Sequence, residues 1–185
     1  LRSPQWRFSL MLAVIAGIII CFNSIISLRV PDIIVDARMG TATTAGTVLS
    51  LMQLTGIVAG VGFASLTHVF KKNLLMIMCF GFGLALALIG LSGQLWSLVL
   101  GTLLAGFTYS TGVTSIFYHL SEKIPTNLLN LATSLVLIGC NLGSAVSSFF
   151  IQLVTPLAPS NHLLFVLIGV LMVGTGVFAS QLLAR

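Results

Sequence analysis

Apolar residues run almost unbroken through six stretches of this chain, and the charged residues fall outside the middle of every stretch. The stretches cover about Phe8–Leu28, Thr44–Leu66, Leu74–Leu91, Leu95–Tyr118, Leu128–Leu153 and Leu163–Leu183. An α-helix rises about 1.5 Å per residue, so roughly 20 mostly apolar residues cross a hydrocarbon core about 30 Å thick. Strands of a membrane barrel are about ten residues long and alternate apolar with polar positions, which these continuous runs do not. The pattern predicts an all-α, polytopic membrane protein whose residues 1–185 form a single bundle of six transmembrane helices.

The connecting segments carry the punctuation expected of turns. Arg29–Thr43 reads as a loop with Pro31, Asp32, Asp36 and Arg38. A tight turn holds His68, Lys71 and Lys72, and Ser92-Gly93-Gln94 closes the third run. His119–Thr126 reads as a polar loop with Glu122, Lys123 and Pro125, and Pro156 and Pro159 mark the last turn.

Composition removes several function classes. Hydrophobic residues make up 57% of the chain and charged residues 6%, whereas a soluble domain carries about a quarter charged residues. The partner expected first is the lipid bilayer. The net charge of +5 does not point to nucleic acid, because the basic residues lie singly or in pairs between the runs. Their distribution sets topology instead. Arg2, Arg7, Lys71, Lys72, Lys123 and Arg185 fall on one side of a six-span chain, and Arg29 and Arg38 on the other. Basic residues are retained in the cytoplasm, so both termini are expected there, in a cell membrane. Trp6, Trp96 and Tyr118 sit at span ends, as interfacial anchors do.

Cys21, Cys79 and Cys140 lie in three different runs with no CxxC pair, so no disulfide, metal site or cofactor is expected. The first run follows Arg2 and Arg7 but is too long for a signal peptide and lacks a small-x-small cleavage site, so it reads as a span that stays. The chain begins with Leu, which is expected of a piece cut from something longer.

Polar side chains inside a membrane are costly, so their placement is informative. The first run has Asn23, Ser24 and Ser27 on one face, and the second has Gln53. The fourth has the densest set, in which Thr111, Thr114, Ser115 and Tyr118 follow the spacing of one helical face. Ser134, Asn141 and Ser148 recur every seventh residue in the fifth. Such stripes either line a wet cavity or glue neighbouring helices. Gly56, Gly60 and Ala64 in the second run, and Gly139 and Gly143 in the fifth, form small-xxx-small lines that let helix backbones approach.

Catalysis is not expected. Gly90-Leu91-Ser92-Gly93 matches the GxSG pattern of rhomboid proteases, which also have six helices, but Ser92 falls at the outer end of the third run. His68 and His119 are on the opposite side, and His162 stands at a span entrance without an evident orienting partner. There is no intramembrane carboxylate pair.

The chain resembles the C-terminal six-helix half of a major facilitator superfamily transporter over essentially its whole length. Arg38-Met39-Gly40 followed by Ala45-Gly46 resembles the entry to that half's second helix. Gly60 through Asn73, GVGFASLTHVFKKN, resembles the family's cytoplasmic loop motif G-x-L-A-D-R-x-G-R-K, with Ala64 for the first Gly, Leu66 retained, Lys72 at an Arg position and His68 where the Asp stands. Ser121-Glu122-Lys123-Ile124-Pro125 and Asn141-Leu142-Gly143 resemble the loop and helix after the fourth span.

The resemblance implies two inverted three-helix repeats, half of a 12-helix transporter, with substrate near the midplane between halves. The first and fourth helices would line the cavity, the second and fifth lie beside them, and the third and sixth face lipid. The expected activity is secondary active transport of a small molecule by alternating access, against the N-terminal half as partner. A hydroxyl-lined cavity without buried charge favours efflux of a neutral or lipophilic, drug-like compound. Asn23, Ser24, Tyr109, Thr111, Thr114 and Asn141 are the expected substrate-facing positions, and Lys71, Lys72 and Glu122 the expected cytoplasmic gate. The rival reading is a stand-alone six-span module or scaffold without transport.

Overall fold

A computed structural model describes residues 4–158 and 160–184, with Pro4, Lys72 and Ala184 described for their backbone only. Arg2 and Arg185, counted above toward topology, and Pro159, assigned to the last turn, lie outside the described residues, as does the side chain of Lys72. The described residues form six α-helices and no strand: α1 (Pro4–Asp36), α2 (Ala42–Phe70), α3 (Leu74–Gly90), α4 (Leu95–Lys123), α5 (Thr126–Val154) and α6 (Asn161–Ala184). A single 3₁₀ turn, Lys71–Asn73, joins α2 to α3. Five of the helices are long and apolar enough to cross a membrane, which makes the chain an integral membrane protein. The exception is α3, whose 17 apolar residues rise only about 25 Å.

The main departure from the sequence reading is the segment expected to be a loop after Leu28. It is helix as far as Asp36, with Pro31 inside it. Proline removes one backbone donor and disfavours helix, but burial outweighs it here. Ile26, Val30 and Ile34 are fully buried at four-residue spacing, and Ile33 is 9% exposed beside them. Asp32 and Asp36 stay on the exposed side, with Arg29 3.8 Å from Asp32. The helix then stops through Met39 N–H donating to Ile34 and Arg38 N–H donating to Val35, 2.9 and 3.1 Å. That closure sets Arg38 at φ 53, a left-handed conformation usually given to glycine.

The expected loop beginning at His119 is likewise helical through Lys123. Ile124, ahead of Pro125, is extended at φ −105, ψ 129, as the residue before a proline prefers. A capping box starts α2: Thr44 N–H donates to Thr41 Oγ1 at 3.4 Å, and Thr41 N–H to Thr44 Oγ1 at 3.2 Å.

In the bundle α1 lies along α5, α2 lies along α4, and α3 lies between α4 and α6. Little hydrophobic force acts between helices in lipid, so close packing has to hold them. The α1–α5, α2–α4 and α3–α6 pairings each have glycine at the crossing. Added Cβ atoms at Gly139 and Gly143 would strike the carbonyls of Ala13 and Gly17 on α1. One at Gly106 would strike Met52 on α2, and one at Gly83 would lie 2.9 Å from the Gly169 carbonyl oxygen on α6. On α2, Gly56 of the small-residue line meets α4, with Ser110 Cβ 3.4 Å from its Cβ position, while a Cβ at Gly60 meets nothing within 4 Å.

Candidate functional site

Side chains on α5 divide into three sectors at about 100° per residue. Ala132, Val136, Gly143, Ser147 and Ile151 are buried against the bundle. Leu131, Ile138, Leu142, Phe149 and Leu153 are exposed and form a wholly apolar second sector. Asn127, Asn130, Ser134, Asn141, Ser148 and Gln152 fall in the third sector, and all six are exposed. An amide held against acyl chains is expensive, so this third sector has to meet protein or water. Ser24 of α1 reaches its border and donates to Ser144 Oγ at 3.3 Å, one turn from Asn141. Asn141 donates an amide hydrogen to the Leu137 carbonyl of its own helix at 3.0 Å. Asn23 is 9% exposed, and its Oδ1 is buried without a partner.

On α4 the expected stripe turns inward. Thr111 is buried and donates to Phe107 O at 2.9 Å, and Thr114, half-buried, donates to Ser110 O at 2.9 Å. Both hydroxyls are thus bonded within their own helix. Tyr109 is half-buried with its ring 6.3 Å from Phe82, and Tyr118 is exposed with its ring 6.1 Å edge-on to Phe63. Ser115 is fully buried, and its hydroxyl has no partner. The structure therefore brings Ser24 and Asn141 to the α1–α5 side, buries Asn23 on α1 without a partner for its Oδ1, and sets Tyr109, Thr111 and Thr114 along α4.

Two interhelical hydrogen bonds escaped the sequence reading. Ser110 donates to Gly56 O on α2 at 3.0 Å, and Thr55 of α2 donates to Leu103 O on α4 at 3.1 Å. The signal available was Gly56, which opens room for a hydroxyl opposite. Ser144 and Asn130 were also overlooked, although Asn130 lies within the polar sector that Ser134, Asn141 and Ser148 mark out and Ser144 lies at its border.

At the basic end, Lys71 and Glu122 border one cavity of about 620 Å³, together with Thr67, Asn73, Tyr118 and His119. His119 is 3% exposed, its Nδ1 is 3.5 Å from Glu122 Oε2, and its Nε2 is buried without a partner. Lys123 is engaged elsewhere: its ammonium donates to Leu183 O at 3.2 Å and sits 5.1 Å over the Phe8 ring. At the other end His162 Nδ1 contacts the Gly90 carbonyl, and Ser92 Oγ donates to Ile89 O at 2.7 Å. Each of these two side chains is bonded to backbone. Among the described residues no group of three or more His, Cys, Asp or Glu is placed to hold a metal ion.

An apolar groove of about 550 Å³ runs between α1, α5 and α6, walled by residues such as Val14, Ile18, Leu142, Val146 and Leu171. No protein-family model matches this chain, and no curated protein matches it in sequence.

Proposed function

We propose that this chain is the C-terminal six-helix half of a major facilitator superfamily secondary transporter. It moves a small molecule by alternating access, rocking against an N-terminal half, with a neutral or lipophilic compound exported from the cell. The polar third sector of α5 is the observation that carries the reading. Six exposed amides and hydroxyls on a membrane-crossing helix need a wet or protein-lined surface opposite. Asn141 and Ser24 on that surface supply hydrogen bonds to cargo, and Asn23 and Ser115 hold polar atoms that lack partners within the half. Tyr109, Thr111 and Thr114 lie along the path on α4, Thr111 and Thr114 with their hydroxyls bonded to their own helix. Lys71, Lys72 and Glu122 form the cytoplasmic gate, with both termini on that side.

The helix pairing supports two inverted three-helix repeats. Exchanging the first three helices for the last three turns the α1–α5 pair into α4–α2 and leaves α3–α6 unchanged. The exposed positions of α3 at Phe80, Leu84 and Leu88 are apolar, as are Leu163, Leu167, Val170 and Phe178 of α6, which suits lipid.

Single cysteines in the full-length protein, in sealed vesicles, test the reading. Cysteine at Asn141 or Ser148 is expected to react with a water-soluble maleimide and to be slowed by cargo, while cysteine at Ile138 or Leu142 stays unreactive. The reverse pattern would put the polar sector in lipid and end the transporter reading.

A further inference from the structure

We propose that the small cavity at the end of the bundle away from Lys71 binds a divalent cation of the Zn²⁺ class, held by Asp36, His162 and Asn161 with water completing its shell. Neither transport nor a partner half is needed for it. The cavity, about 150 Å³ in volume, is bordered by Asp36 at the end of α1, Gly90 at the end of α3, and Asn161 and His162 at the start of α6. The share of one water in the liquid is about 30 Å³, so the space suits an ion with a few waters.

Charge around the cavity leans negative. Asp36 is the last residue of α1, an acid at the negative end of its own helix, and no basic residue occupies that last turn. Helix α3 ends at Gly90, again with no basic residue in its last turn. Carbonyls left over at helix C-termini carry partial negative charge. Among the described residues Asp36 is in no ion pair, and Arg29 lies 3.8 Å from Asp32 instead. Against these stand the start of α6, a partial charge, and exposed Arg38, a solvated one. A full carboxylate with two helix C-termini outweighs them and favours a cation.

His162 decides which cation. Its Nδ1 contacts the Gly90 carbonyl oxygen, which can only accept, so that nitrogen carries the proton and Nε2 keeps its lone pair in the neutral ring. Metal-ligating histidines are held in this way, with the other ring nitrogen donating to a backbone carbonyl or a carboxylate. The side chain is exposed, and with Nδ1 turned to backbone its open edge is the Nε2 edge. Asp36 is exposed as well, so a solvated ion reaches both. Imidazole together with carboxylate suits Zn²⁺, whereas Mg²⁺ and Ca²⁺ prefer oxygen alone. Asn161, half-buried on the same wall, adds an amide oxygen. Bound there, the ion ties the ends of α1 and α3 to the start of α6.

Calorimetric titration of the untagged full chain in micelles with zinc chloride tests the site. Wild type is expected to bind Zn²⁺ saturably, with Mg²⁺ in excess failing to displace it. Asp36→Asn and His162→Gln should each weaken Zn²⁺ by about tenfold or more, since even groups that only support a ligand cost that much. Should His162→Gln loosen the contact of α6 with Gly90 and unfold, Asp36→Asn at an exposed carboxylate still decides. His68→Gln, at the other end of the bundle, should keep wild-type affinity. X-ray absorption of the Zn²⁺-loaded protein should show one imidazole among oxygen ligands, with Zn–N about 2.0–2.1 Å. Absence of saturable Zn²⁺ binding in wild type, full affinity in Asp36→Asn, loss of affinity in His68→Gln, or displacement by Mg²⁺ would each overturn the proposal.

Discussion

Substituting Gly106 by alanine tests whether the α2–α4 pair is held by backbone contact. The added methyl would fall on the Met52 carbonyl oxygen and 2.9 Å from its carbon. The obstacle is backbone, so it cannot swing aside as a side chain would. The helices have to part by about 1 Å, and a gap of that size forfeits roughly a quarter to half of each dispersion contact across it. Overpacking of this kind costs about 1–3 kcal/mol. The Ser110–Gly56 and Thr55–Leu103 hydrogen bonds, now 3.0 and 3.1 Å, stretch out of range, at about 0.6 kcal/mol each. Alanine's better helix propensity returns up to about 1 kcal/mol. The expected net loss is about 2 kcal/mol. Reversible unfolding in mixed micelles, followed by circular dichroism, measures it. Gly174→Ala is the control, since a Cβ there meets nothing within 4 Å, and it should be neutral or stabilising by up to about 1 kcal/mol. If both variants unfold alike, close approach at Gly106 does not hold the pair.

Four further outcomes follow from single residues. Arg38→Gly should raise stability by about 1 kcal/mol, read as a higher melting temperature, because Arg38 holds φ 53 without a glycine's freedom. Thr41→Ala should lower it by about 1 kcal/mol in the same melts through loss of the α2 capping box. Phe82→Ala, at a side chain 1% exposed, should cost about 3–5 kcal/mol in an unfolding titration. Thr111→Val should change stability by less than about 0.5 kcal/mol, since its hydroxyl serves only Phe107 O of its own helix. A large effect there would mean the hydroxyl is needed elsewhere.

Much of the candidate site was legible before any fold was known. Ser134, Asn141 and Ser148 recur every seventh residue, and that spacing alone puts them on one side of a helix, where the structure leaves all three exposed. The α4 stripe was equally regular, yet Thr111 and Ser115 are buried while Tyr118 is exposed. Periodicity says which residues share a face, but not what that face meets. Pro31 misled because its local preference was weighed without Val30 and Ile34, whose burial against other helices keeps α1 intact past it. His119 read as a loop residue, since nothing nearby in sequence reveals that α4 continues to Lys123.

Residence in a membrane, helix as the element and the number of helices were determined by the chain itself. Transfer of a side chain into hydrocarbon and pairing of backbone groups within one helix are local quantities, summed residue by residue. Which glycine meets which carbonyl, whether a threonine bonds its own helix or its neighbour, and how Lys71, His119 and Glu122 come to share a cavity were decided only by the tertiary structure. Those contacts join residues far apart in the chain, and they depend on which helices pair and at what depth, which no local sum contains.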